Sequence, residues 1–129
     1  MQLNSPDITQ ESAPFWAAAN QGQLLLRRCL DTGQPYYYPR DHSPFTGSLH
    51  TDWIVASGTG TLYSFSHGLR DGQVHCIAYV TLDEGPTILT VIDCENPQWL
   101  HIGQRLKVAF AATASGQNVP VFVPLNASG

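Results

Sequence analysis

The sequence is short of charge, and shortest of positive charge. Of its 129 residues six are Lys or Arg and ten are Asp or Glu, 12% in all, with a formal net charge of −4. An average globular chain carries about 25%. Proteins that bind nucleic acid draw most of their affinity from Lys and Arg set against phosphates, and six basic residues that form no stripe exclude that class as the leading reading. Long apolar runs are also missing, so no window approaches a membrane span. The start, Met1-Gln2-Leu3-Asn4, lacks the basic and then apolar run of a secretory signal, and the expectation is a cytoplasmic protein. Cysteine is scarce. Cys29, Cys76 and Cys94 are odd in number and have no paired spacing, which fits reduced, buried thiols better than a disulfide framework. Gly58-Thr59-Gly60 lies between strand patterns and opens no helix, so it is not a phosphate loop.

What is present is apolar material, 43% of residues, enough for one core in a chain of this length. With so little charge, two readings of the exterior stand side by side. One is a neutral monomer with a surface rich in Ser, Thr and Gln. The sharper one is a subunit that covers part of its surface in a complex or homo-oligomer, because depletion of charge marks interface cores.

Residues 1–10 carry no periodic signal and read as an arm, loose unless a partner holds it. Ser12 stands where an N-cap would, with Pro14 in the first turn and Phe15, Trp16 and Ala19 on one face; Asn20-Gln21-Gly22 ends the short helix. Leu24 to Cys29 and Tyr36-Tyr37-Tyr38 form a hairpin around Asp31-Thr32-Gly33, closed by Pro39. The stretch 40–48 is dense in turn formers. Strands follow at Asp52–Ala56, Gly60–His67, Val74–Leu82, Thr87–Asp93, Arg105–Ala111 and Val119–Pro124, with turns such as Asp71-Gly72 between them. The pattern predicts a mainly β protein with a five- to six-stranded, closed or partly open barrel. Alternation places Leu62, Ser64 and Ser66 on one face and Tyr63, Phe65 and His67 on the other, with Gly58 and Gly60 supplying a bend or bulge. The organisation expected is an arm and helix over 1–22, a ribbon-like hairpin over 23–50 and the barrel over 51–125.

Two segments, Cys29 to Gly33 and Ser43 to Gly47, have the turn pattern of paired zinc knuckles, yet a structural zinc needs four thiolate or imidazole ligands. Thr32, Ser43 and Thr46 are poor ligands, and His42 alone does not repair the set. No metal is expected, and no cofactor.

Phe15-Trp16, Gly22-Gln23-Leu24, Arg28-Cys29, Tyr38-Pro39-Arg40, the run Gly58 to Phe65, the run Leu82 to Pro86, and Ile102-Gly103 before Leu106-Lys107-Val108 are jointly distinctive. Over roughly 12–125 the chain resembles the acyl-CoA-associated OB-fold proteins with an N-terminal rubredoxin-like zinc ribbon. The resemblance implies a non-catalytic accessory subunit beside a thiolase-like or enoyl-CoA hydratase-like enzyme of lipid, steroid or polyketide metabolism, with acyl-CoA among the partners. It also implies four zinc ligand positions, of which this chain keeps Cys29 and replaces the others with Thr32, Ser43 and Thr46: a member that has lost its zinc site. The alternative is a stand-alone barrel that binds an acyl ligand or, with less support, single-stranded nucleic acid.

Residues for catalysis are poorly grouped. Ser66, His67 and Asp71 are close in sequence, and His75-Cys76 and Asp93-Cys94 are adjacent, but neighbours on a strand point to opposite faces. For docking, the candidates are Phe15 and Trp16, Tyr36, Tyr37 and Tyr38, and Arg40, since aromatics and arginine dominate binding hot spots. Packing of Phe15 and Trp16 on their own barrel is the competing reading. Arg27 and Arg28 are candidates for contact with coenzyme A phosphates, against the plainer reading of a solvated ribbon face.

Overall fold

The computed structural model describes residues 3, 5–70, 72–94 and 96–125. The chain opens with helix α1 (Ala13–Ala19), followed by strands β1 (Leu25–Cys29), β2 (Pro35–Tyr36), β3 (Thr51–Val55), β4 (Thr59–Arg70), β5 (Gln73–Leu82) and β6 (Thr87–Val91). A 3₁₀ turn (Pro97–Trp99) then leads to β7 (Arg105–Ala112) and β8 (Asn118–Pro124). The turn Asp71-Gly72 expected between β4 and β5 falls partly outside the described residues, at Asp71.

Two antiparallel sheets result, β2-β1-β3 and β6-β5-β4-β7-β8. The outer strands of the larger sheet meet where Ile92 pairs in parallel with Phe122 and the Asp93 N–H donates to the Phe122 carbonyl at 2.8 Å. That strand order with a parallel closure is the five-stranded OB barrel. Its interior is set by period-two alternation: along β5, Cys76, Ala78, Val80 and Leu82 are buried while Ile77 and Tyr79 face out. Leu62, Ile88, Leu106 and Phe122 complete the inner layer, and Phe15, Leu24 and Leu26 from the helix and ribbon join the same core. Burial of each such side chain contributes about 1.5–3 kcal/mol.

Four expectations change on this fold. First, β3 pairs along its whole length with β1, from Leu25 opposite Val55 to Cys29 opposite Thr51, so the strand assigned to the barrel belongs by hydrogen bonding to the ribbon sheet. Second, the register of β4 against β5 shifts between Leu62 and Ser64. The extra residue, Tyr63, reverses parity, so Phe65 (opposite Ala78) and His67 (opposite Cys76) share the inner face with Leu62 instead of opposing it. Third, Ser12 occupies the cap position but its hydroxyl turns back, accepting the Thr9 N–H at 3.0 Å, and makes no forward cap. Fourth, the N-terminal arm is tied at Ser5, whose hydroxyl donates to Thr113 Oγ1 at 3.0 Å and accepts from the Ser115 N–H at 3.3 Å.

The two glycines before the bulge have separate reasons. Gly58 has φ +83°, and a Cβ there would lie 2.7 Å from Val108 Cγ1. A Cβ on Gly60 would lie 2.7 Å from the Thr81 carbonyl oxygen and 2.8 Å from Val80 Cγ1, where β4 crosses β5. Gly60→Ala is therefore expected to lower stability by about 1–3 kcal/mol through overpacking, measured by denaturant unfolding, whereas Gly68→Ala, with nothing within 4 Å, should cost far less.

Candidate functional site

The two knuckle-like turns are formed, with hydroxyls where zinc ligands were expected. Ser43 Oγ accepts the N–H groups of Phe45 (3.1 Å) and Thr46 (3.3 Å), and Thr32 Oγ1 accepts that of Gln34 (3.2 Å). The Cys29 side chain is fully buried. Burial raises its thiol, but hydrogen bonds with Ser43 and Thr32 outweigh that and bring it to about 7. Across the two turns runs a different link: Asp31 accepts the hydroxyls of Ser48 (2.6 Å) and Thr46 (2.9 Å) and sits 3.1 Å from His50 Nδ1. Ser48 first, then His50 and Thr46, hold the Asp31 carboxyl below its ordinary range. The donor set does not fit zinc, since three of the four positions offer neutral hydroxyls already committed to hydrogen bonds. Among the described residues no three His, Cys, Asp or Glu side chains are grouped to hold a metal ion.

The two arginines considered for phosphate contact are already engaged. Arg27 is buried, its guanidinium 4.6 Å from the Trp53 ring centroid and hydrogen-bonded to Thr51 Oγ1. Arg28 holds Asp52 through two hydrogen bonds, 2.8 and 3.2 Å. Arg27 is thus enclosed, while Arg28 stays partly exposed in its pair with Asp52.

The docking candidates divide. Phe15 is 2% exposed, with edge contacts to Trp16 (4.7 Å between centroids) and Tyr37 (5.8 Å). It is a core residue, in one buried cluster with Leu24, Leu26 and Phe122. Tyr36 is buried as well, its hydroxyl donating to the Arg40 carbonyl at 2.6 Å. Trp16 and Tyr37 are half-buried, and burial, with Tyr38 adding to it, pushes the Tyr37 phenol up to about 12. Tyr38 is 63% exposed, with the Arg40 guanidinium 4.8 Å over its ring.

Trp16, Tyr37, Tyr38 and Arg40 line one cavity of about 210 Å³, together with Asp7 and Glu11. Trp16 and Tyr37 also wall an adjoining groove of about 240 Å³ whose far side is Leu89, Val91 and Val121. From Leu89 the surface passes to the outer face of the barrel, where Leu89 is opposite Tyr79 and Val91 opposite Ile77. Leu89, Tyr79 and Ile77 are 55%, 49% and 44% exposed, and their neighbours Ser64, Ser66, Thr81 and Thr87 carry no charge. The sequence held a signal for this face, since Val74–Leu82 is apolar at both odd and even positions. It held none for Asp7 and Glu11, in a segment without periodicity.

Nucleophilic catalysis finds little here. Ser66 lies opposite Ile77 and His67 opposite Cys76, on opposite faces of the sheet, so the two diverge, and Asp71 lies outside the described residues. Burial, then the neighbouring Cys94, raises the Cys76 thiol to about 11, and burial raises Cys94, so both stay protonated near neutrality.

Two family models match the chain, the rubredoxin-like zinc ribbon domain of ChsH2 over residues 16–43 and the C-terminal OB-fold domain of ChsH2 over 53–111. Together they take in more than half of it, and the chain belongs to this family. A solved structure named Ltp2-ChsH2(DUF35) aldolase superposes with a TM-score of 0.80 at 26% identity, over 93% of this chain and 98% of that one. A DUF35-family protein of unknown function from Sulfolobus solfataricus shares the fold, with a TM-score of 0.61 at 12% identity over 77% of each chain. In Thermomonospora curvata, a protein named probable enoyl-CoA hydratase alpha subunit is 27% identical over 125 residues. The match takes in 92% of this chain and 39% of that relative's length.

Proposed function

We propose that this chain is a non-catalytic accessory subunit that docks on the catalytic subunit of an acyl-CoA-processing complex, thiolase-like or hydratase-like. One observation carries the reading: a continuous surface without charged side chains runs from the groove at Trp16 and Tyr37 across Leu89 and Val91 to Tyr79 and Ile77. Exposed aromatic and aliphatic side chains without charge among them match the charge-depleted core of a protein interface. The names of the relatives, a hydratase subunit and an aldolase in which ChsH2 stands beside Ltp2, support an acyl-CoA enzyme as the partner.

A nucleic-acid role is disfavoured at the barrel itself. Arg105, one of two basic residues on β7, is held by both oxygens of Asp83 at 2.7 Å, and hydrogen bonds from Arg105 and then Thr59 bring the Asp83 carboxyl down to about 2.

Tyr79→Lys places a charge in the middle of the uncharged face. It should weaken partner binding by about 2 kcal/mol or more, as hot-spot changes do. The melting temperature of the isolated chain should hold, because the ring is half exposed. Calorimetry with the co-purified catalytic subunit, alongside thermal unfolding, checks both; unchanged affinity would remove this face from the interface.

A further inference from the structure

The cavity between helix and ribbon has a chemistry the docking reading does not use. Three aromatic residues, Trp16, Tyr37 and Tyr38, and two acidic ones, Asp7 and Glu11, line it together. Glu11 accepts the Asp41 N–H at 2.7 Å. The ion pairs among the described residues join Arg27 to Asp41, Arg28 to Asp52, His50 to Asp31 and Arg105 to Asp83, so none of them neutralises Asp7 or Glu11. Aromatic faces attract cations through the ring quadrupole, and carboxylates beside them add a charge term. The surface already shows the preference, for the guanidinium of Arg40 lies 4.8 Å over Tyr38.

We propose that this cavity receives the guanidinium of an arginine side chain from the docked subunit, stacked between the aromatic walls and bonded at the rim by Asp7 and Glu11. A planar guanidinium suits the site better than an ammonium, since it stacks on rings and offers a fork of donors to carboxylates. The proposal rests on the docking reading and names the chemistry of the partner at one place. Arg40, a like charge lining the same cavity, opposes the incoming cation, which separates this assignment from an anion site: removal of Arg40 strengthens cation binding and would weaken phosphate binding.

Methylguanidinium is titrated into the full chain while the Trp16 indole N–H is followed by NMR. A saturable shift confined to Trp16, Tyr37 and Tyr38 is expected, weakened at least about tenfold in the Asp7→Asn/Glu11→Gln variant and tightened by Arg40→Gln. Inorganic phosphate should shift nothing. In the assembled complex the Trp16 shift should vanish, because the partner's arginine fills the cavity. No saturable response, an equal response in the double variant, weaker binding with Arg40→Gln, or a shift that persists in the complex would each overturn the assignment. The docking reading fails separately, if Tyr79→Lys leaves partner affinity intact.

Discussion

Phe15→Ala is expected to cost the isolated chain about 3–5 kcal/mol, the range found when a buried phenylalanine is truncated in a packed core. The ring is 2% exposed and joins the buried cluster with Leu24, Leu26 and Phe122. Removing it leaves a void bordered by Trp16 and Tyr37, whose rings meet it edge-on, so those contacts are lost too. Trp16→Ala should cost less, because that side chain is only partly buried and lines two depressions. Denaturant unfolding of both variants in the absence of any partner gives the comparison. A Phe15→Ala protein of unchanged stability that has lost its partner would put the ring on the surface, and the helix would then be the anchor.

Restoring three thiols should restore a metal. The Thr32→Cys/Ser43→Cys/Thr46→Cys variant is expected to hold one zinc per chain by elemental analysis, while the parent, prepared the same way, holds well under one. The reason lies in the turns, already formed at two of the three positions: Ser43 Oγ receives two backbone N–H groups and Thr32 Oγ1 one. Structural zinc contributes about 10–16 kcal/mol of apparent binding energy in small zinc-dependent peptides. Even a modest part of that should raise the melting temperature and make it sensitive to chelator. A triple variant that folds and takes up no zinc would show that the Asp31 network has drawn the two turns into a different spacing. Stoichiometric zinc in the parent would overturn the decayed-ribbon reading outright.

The barrel was legible because its strands are rich in apolar and β-branched residues and are separated by turn residues, and all six expected strands exist. Pairing was not legible. Nothing local in Thr51–Val55 says that β1 is its neighbour and not β4, since that is decided by how the ribbon folds back. The bulge at Tyr63 escaped for a related reason: glycines at 58 and 60 marked the bend, but the extra residue fell three positions later and reversed the faces of Phe65 and His67. Among site residues, Trp16, Tyr37, Tyr38 and Arg40 were picked by type and are brought to one cavity. Phe15, Tyr36, Arg27 and Arg28 were picked on the same grounds and prove to be buried or paired, because residue type does not reveal which side of a strand or helix a ring occupies. Asp7 and Glu11 reach the cavity only through the path of the N-terminal arm, which no periodicity encodes.

As an accessory subunit, this chain is expected to assist an acyl-CoA enzyme without performing the chemistry. The most direct measurement is acyl-CoA turnover by three samples: the chain alone, the co-purified catalytic subunit alone, and the two together. None is expected from the chain, and higher turnover or longer-lived activity from the pair than from the catalytic subunit by itself. Turnover by the chain alone, or a catalytic subunit indifferent to its presence, would contradict that expectation.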